Sequence, residues 1–133
     1  MSYLEESMLG NYNAVATVSV RDLDRAKEFY AKKLGLEQIG AQGQEAVVYR
    51  TGGDTTLLVY RSRFAGHNNA TAVTWNVDKI HDLVRDLKSK GVTFERYEIP
   101  DAKLEGDVYS FGDLHNAWFK DLDGNIHALV NRS

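Results

Sequence analysis

The chain has no cysteine, a single proline and no excess of positive charge. Without cysteine there is no disulfide framework, no thiolate metal site and no thiol nucleophile, and the chain suits a reducing compartment. Sixteen Lys and Arg against nineteen Asp and Glu leave a formal charge of -3, with no run of five like charges. Such a chain has no basic field with which to hold a phosphate backbone. No apolar run approaches the roughly 18 residues that a membrane-crossing helix needs. The opening MSYLEESMLGNYN puts Glu5 and Glu6 where a signal peptide would carry bases. The expectation is a soluble cytoplasmic protein that engages neither nucleic acid nor membrane.

What is present is an ordinary globular composition, 43% hydrophobic and 26% charged, over a length that suits one domain. We expect a leader over residues 1–11 and a single domain over 12–133. In NAVATVSV, Val18 and Val20 alternate with Thr17 and Ser19, as in a strand with two different faces. Asp22 is a good N-cap, and Leu23, Ala26, Phe29, Tyr30 and Leu34 recur at helical spacing until Gly35 supplies a stop. That pattern predicts an amphipathic helix of about three turns.

The pattern then recurs. TAVTWNV repeats the strand, Asp78 the cap, and Ile80, Leu83, Val84 and Leu87 the apolar stripe up to Gly91. Val20 and Val77 are 57 residues apart, and Gly35 and Gly91 are 56 apart. Two hairpins come after the helices, and at an offset of 70 Tyr49 falls on Phe119 and Val59 on Leu129. The chain therefore reads as a tandem repeat of strand, helix and three strands, with modules over about 12–62 and 70–133. The link RSRFAGHNNA is too short to separate independent domains, and YEIPDAKLEGD, which holds Pro100, is read as a loop before the strand VYSFGD. TGGDTT precedes the strand LLVY rather than a helix, so it is a hairpin turn and not a phosphate loop.

VSVRDLDRAKEFYAKKLGLE, joined after the repeat by WFKDLDGNIHALV, resembles the glyoxalase, bleomycin-resistance and extradiol-dioxygenase superfamily, the vicinal oxygen chelate proteins. The resemblance covers roughly residues 12–131, with Leu122 where the family's turn usually has proline. It implies an α+β fold: two tandem βαβββ modules whose sheets curl into an open, eight-stranded, barrel-like cavity with helices outside. It also implies a homodimer and, in metal-using members, one divalent cation in the cavity. Fold does not settle chemistry, since the family spans lyases, isomerases, oxygenases and drug-binding proteins.

Metal-using relatives place His or Gln near the start of each module's first strand and Glu or another polar ligand on each last strand. Carried over by register, those positions are Val15, Leu58, Ala72 and Ala128, none of which can donate an electron pair to a cation. The expectation is no metal at the usual place and no cofactor. Among the histidines, His81 on the second helix reads as a surface residue and His67 as a solvated loop residue. His115 stands at the entry to the final hairpin, where it could overhang the cavity. His127 neighbours Ala128, so alternation turns it towards the helices as a buried, hydrogen-bonded residue.

The cavity face is then expected to carry Thr17, Ser19, Tyr60, Thr74, Asn76, Tyr109, His115 and Trp118, with Trp75 and Phe119 on the helix side. Asp107, Asp113 and His115 are the nearest acid-base candidates, and no spacing among them compels a catalytic assignment. Aromatic walls with a few aimed polar groups suit a small organic molecule. The function expected is metal-independent binding, with sequestration of a toxic or antibiotic compound as the form it would take. The alternative is a lyase, isomerase or dioxygenase of the same superfamily with relocated metal ligands.

Overall fold

The computed structural model describes residues 9–132; most of the expected leader, with Glu5 and Glu6, lies outside the described residues. Strand β1 (Ala16–Val20) buries Val18 and Val20 and turns Thr17 and Ser19 the other way. Asp22 then caps α1 (Leu23–Lys27) by accepting the Arg25 amide proton at 3.1 Å. The helix does not continue as expected. Over Glu28–Lys33 it widens into a π-helical segment, in which the Leu34 N–H reaches back to the Phe29 carbonyl. Such a widened turn inserts an extra residue and so rotates the facing of its neighbours, and the consecutive residues Phe29 and Tyr30 are both buried. Gly35, at φ 72°, ends it in a conformation that side-chain-bearing residues rarely adopt.

Strands β2 (Glu37–Gln42), β3 (Ala46–Arg50) and β4 (Thr56–Arg61) complete the first module as a sheet in the order β1-β4-β3-β2, with β1 parallel to β4. The second module repeats this with β5 (Thr71–Asn76), α2 (Ile80–Ser89), β7 (Val108–Phe111), β8 (Leu114–Lys120) and β9 (Ile126–Arg132), and adds β6 (Lys103–Glu105). Its sheet runs β5-β9-β8-β7-β6, again with the first strand parallel to the last. The extra strand β6 lies in the segment expected to be loop; it pairs antiparallel with β7, which makes nine strands among the described residues where eight were expected. Its three side chains are all exposed, so no apolar alternation marks it in the sequence. The two sheets are separate and do not close into a barrel, although β1 and β5 run beside one another.

A second correction concerns the cap of α2. Asp78 does not cap it; Lys79 occupies that place in the left-handed region at φ 51° with no side-chain cap. The Ile80 amide proton goes instead to Asn131 Oδ1 on β9, at 3.2 Å. A side chain from the sheet thus does what the local sequence was expected to do.

The core is continuous across both modules. Val18, Val20, Phe29, Tyr49 and Val59 from the first pack with Val73, Ile80, Val84, Phe119 and Leu129 from the second. Within it runs a chain of polar groups. Tyr30, with no exposed surface, donates its hydroxyl proton to Asp121 Oδ2 at 2.7 Å. The Tyr30 hydroxyl oxygen also lies 3.0 Å from His127 Nε2, and His127 Nδ1 accepts the Trp75 indole proton at 3.0 Å. Because Nδ1 is an acceptor, the ring proton of a neutral His127 resides on Nε2 and points at the Tyr30 oxygen. Asp121 also accepts from the Asp123 and Asn125 backbone amides and from Asn125 Nδ2. Asn125 Nδ2 and Asp123 Oδ1 reach back to the Ser19 carbonyl and the Arg21 amide at the end of β1. The last hairpin turn of the second module is thereby fastened to the strand and helix of the first.

Replacing Tyr30 by Phe leaves the buried His127 Nε2–H without its partner and Asp121 Oδ2 with Asn125 Nδ2 alone, at an expected cost of about 1–3 kcal/mol. Urea denaturation of Tyr30→Phe measures it, and an unchanged midpoint would mean that the hydroxyl does not hold the modules together.

Candidate functional site

The ladder registers divide the side chains between the helix-covered faces and the opposite, open faces of the sheets. In the first sheet Thr17 pairs with Leu58 and Ser19 with Tyr60, away from the buried Val18 and Val59. In the second, two rows cross the open face. One runs Thr74, Ala128, Trp118; the next runs Asn76, Val130, Asn116, Tyr109. Phe119, Leu129 and His127 alternate with them and lie on the helix side, stacked in part on one another, with the Phe119 and His127 rings 4.8 Å apart. Trp75 joins that side through its bond to His127.

The open face of the second sheet brings several expected residues together. Trp118 is held edge-on between Tyr97 and Tyr109, each with its ring centre 5.5 Å away. The Tyr109 hydroxyl is fully engaged, accepting the Tyr97 amide proton and donating to the Tyr97 carbonyl. Tyr109 therefore fixes segment and ring and has no polar group to spare. Trp118 and Tyr97 wall an open cavity of about 480 Å³ with Thr71, Ile126 and Lys120, a size that suits a small organic molecule. Lys120 pairs with Glu95 at 3.4 Å. Thr74 and Asn76, both exposed, line a second hollow of about 420 Å³ with Ala14, Ala16 and Thr55, where β1 runs beside β5.

Thr17, Ser19 and Tyr60 belong to the other sheet. The Thr17 hydroxyl donates to the Val15 carbonyl, Ser19 gives its carbonyl to Asn125, and Tyr60 is 39% exposed. His115 does not overhang the open face. It alternates with Asn116 onto the helix side, where its Nδ1 lies 2.7 Å from Ser110 Oγ and it borders a hollow with Ile80, His81 and Asn131. Asp107 is buried and bound by Lys88 at 2.7 Å and Arg96 at 3.1 Å. Burial raises its pKa, but those two cations outweigh burial and hold the carboxyl below its usual range. Asp113, His67 and His81 are exposed.

Asn116, two positions before Trp118 on β8, shares its face by the same alternation. A hollow of about 660 Å³ lies elsewhere, between the start of α1 and the β2–β3 hairpin. Its charged walls are solvated and partly paired, Arg61 with Glu45 at 3.0 Å, and no set of groups converges there.

The residues present do not fit the cation that metal-using members hold. Val15, Leu58, Ala72 and Ala128 offer no donor atoms, and Ala72 packs against the core next to an irregularity in the β5–β9 register. Among the described residues no three His, Asp or Glu side chains are grouped to hold a metal ion.

The model of the Glyoxalase/Bleomycin resistance protein/Dioxygenase superfamily matches residues 13–128. The chain belongs to this superfamily. Solved structures agree in fold. A superfamily member from Sphaerobacter thermophilus is 22% identical with a TM-score of 0.66, the match covering 91% of this chain and 97% of that one. An antibiotic binding protein from a Streptomyces species is 21% identical with a TM-score of 0.66, over 92% and 98%. The fosfomycin resistance protein FosX from Mesorhizobium loti is 12% identical with a TM-score of 0.65, over 92% and 93%. No curated protein matches the chain significantly. No helix among the described residues is long and apolar enough to cross a membrane.

Burial drives the His127 pKa down to about 4 from 6.5, against an upward pull from Asp121, and burial together with Asp121 pushes the Tyr30 hydroxyl far up. Both groups are therefore neutral at pH 7, as their hydrogen bonds require. The unfolded chain takes up the histidine proton near pH 6.5, the folded chain only near pH 4. Between those values the unfolded state binds more protons, so stability falls as the pH drops. Chemical denaturation at pH 7 and pH 5 should show a loss of about 2 kcal/mol that is missing in His127→Gln. An equal loss in both proteins would assign the acid sensitivity to other groups.

Proposed function

We propose that the protein binds a small organic molecule without a metal ion, on the open face around Trp118, and that the bound compound is a planar or amphipathic one such as an antibiotic. The observation that carries this reading is the row Thr74, Ala128, Trp118. A small apolar residue sits where a metal ligand would stand, directly beside an indole that two tyrosines hold in place. An indole fixed in this way offers a flat apolar surface at little entropic cost, and Lys120 and Thr71 supply polar groups in the same cavity.

The occurrence of an antibiotic binding protein and a fosfomycin resistance protein among the structural relatives supports sequestration as the form of that function. In this reading the protein works in the cytoplasm as a homodimer and engages neither nucleic acid nor membrane.

Two measurements test the reading. Elemental analysis after purification in metal-replete medium should find well under one divalent cation per subunit; about one tightly held cation would overturn metal independence. Trp118→Ala should weaken the binding of planar aromatic antibiotics, measured by calorimetry, by about tenfold or more, the equivalent of 1–2 kcal/mol. Undiminished affinity would move the site away from Trp118.

A further inference from the structure

We infer that Lys120 is a specificity-determining residue of the Trp118 cavity, and that the molecule bound there is a planar aromatic acid, with its ring on the indole and its carboxylate on the Lys120 ammonium. The inference rests on the binding reading given above and names the chemistry of its ligand.

Lys120 is two positions beyond Trp118 on β8, so alternation sends it to the same open face, about 7 Å further along the strand. Its ladder partner is Ile126, which pairs on its other side with Thr71. The row Thr71, Ile126, Lys120 therefore runs beside the row Thr74, Ala128, Trp118. The cavity of about 480 Å³ takes its walls from both, the whole of the first row and the indole of the second. Lys120 and Tyr97 are exposed and Trp118 is partly so, and a molecule entering from solvent can reach all three.

Lys120 is the one charged residue on those walls among the described residues. Its ionic partner, Glu95, does not border the cavity, so an incoming molecule meets the cation and not the carboxylate. The pair is also loose. Its separation of 3.4 Å exceeds the 2.7 Å of Lys88 with Asp107 and the 3.0 Å of Lys32 with Glu28. An ammonium has three protons to give, and Glu95 lies in one direction only. Asn69 and Thr71 border the same cavity with an amide and a hydroxyl, from which a carboxylate can also accept. A carboxylate at Lys120 gains a charge-assisted hydrogen bond; an amide of the same shape gains a weaker one, and an organic cation is repelled. The gain is bounded, because an exposed ammonium is screened by water and salt.

The test titrates 2-naphthoate and 2-naphthamide, one shape with and without the charge, into the protein at neutral pH and low ionic strength, followed by ligand-observed NMR. The wild type should bind the naphthoate about fivefold more tightly, the upper end of what an exposed ion pair supplies. In about 1 M salt, where charges act over roughly 3 Å, that preference should shrink towards unity. Lys120→Met keeps the apolar stem and removes the charge, and it should bring the two probes level. Lys32→Met removes a charge from the π-helical segment and should keep the preference, which separates a contact at the site from the net charge of the chain. A lysine kept only to brace Glu95 would give a lower urea midpoint in Lys120→Met with the preference intact, which overturns the inference. A preference lost equally in Lys32→Met overturns it too. Equal binding of the two probes to the wild type, or tighter binding of the amide, also overturns it and leaves the Trp118 site standing. Failure of both probes to bind, or undiminished binding of both by Trp118→Ala, overturns the site and the inference with it.

Discussion

The rest of the structure depends on one oxygen atom, the Tyr30 hydroxyl, placed between a carboxylate and an imidazole of the other module. A phenol can donate and accept at once, which is what this position demands. Its proton goes to Asp121 and its lone pair receives the His127 Nε2–H. That arrangement requires the neutral tautomer whose Nδ1 accepts from Trp75. Asp121 in turn holds the turn amides and the Asn125 side chain that reach Ser19. The repeat did not duplicate this device. The corresponding turn of the first module, Thr51 to Thr55, bonds to itself through Thr51 and Thr55. Two similar modules are therefore joined by an asymmetric clasp, and only one hairpin supplies it.

The clasp also determines what the opposite face is free to do. The side chains of the clasp, Tyr30, Asp121, His127 and Trp75, are none of those in the open-face rows. Its Thr74 and Asn76 are exposed. The aromatic group on it is braced by Tyr109, whose hydroxyl ties down the Tyr97 segment. The two faces draw on different residues of the same strands.

Much of this was legible in the sequence. Two strong signals, the 57-residue recurrence of strand, cap and stripe and the FKDLDGN hairpin, specified the module architecture, and strand alternation placed His127, Trp75 and Phe119 on the helix side. What failed did so for physical reasons. The π-helical widening at Glu28–Lys33 preserves the apolar spacing that suggests an ordinary helix. β6 is a short strand with every side chain exposed, so no periodicity betrays it. The cap of α2 comes from Asn131, 51 residues away, which no local pattern reports. His115 sits beside the hairpin, but alternation along β8 decides its facing: the odd positions carry Ala117 and Phe119 into the core and take His115 with them.

Ala128 shows why scaffold and chemistry can part company in this superfamily. It is buried, its neighbours in the row are Thr74 and an indole, and the preceding residue on the strand belongs to the clasp. A carboxylate at such a place would need a cation beside it, since an unpaired charge enclosed by apolar walls is far costlier than a methyl group. The other three positions could not help to hold that cation, because Val15, Leu58 and Ala72 have no donors. Four apolar residues are thus mutually consistent where one apolar residue among three ligands would not be. Each makes the others tolerable, since none leaves a lone charge or an incomplete ligand set behind.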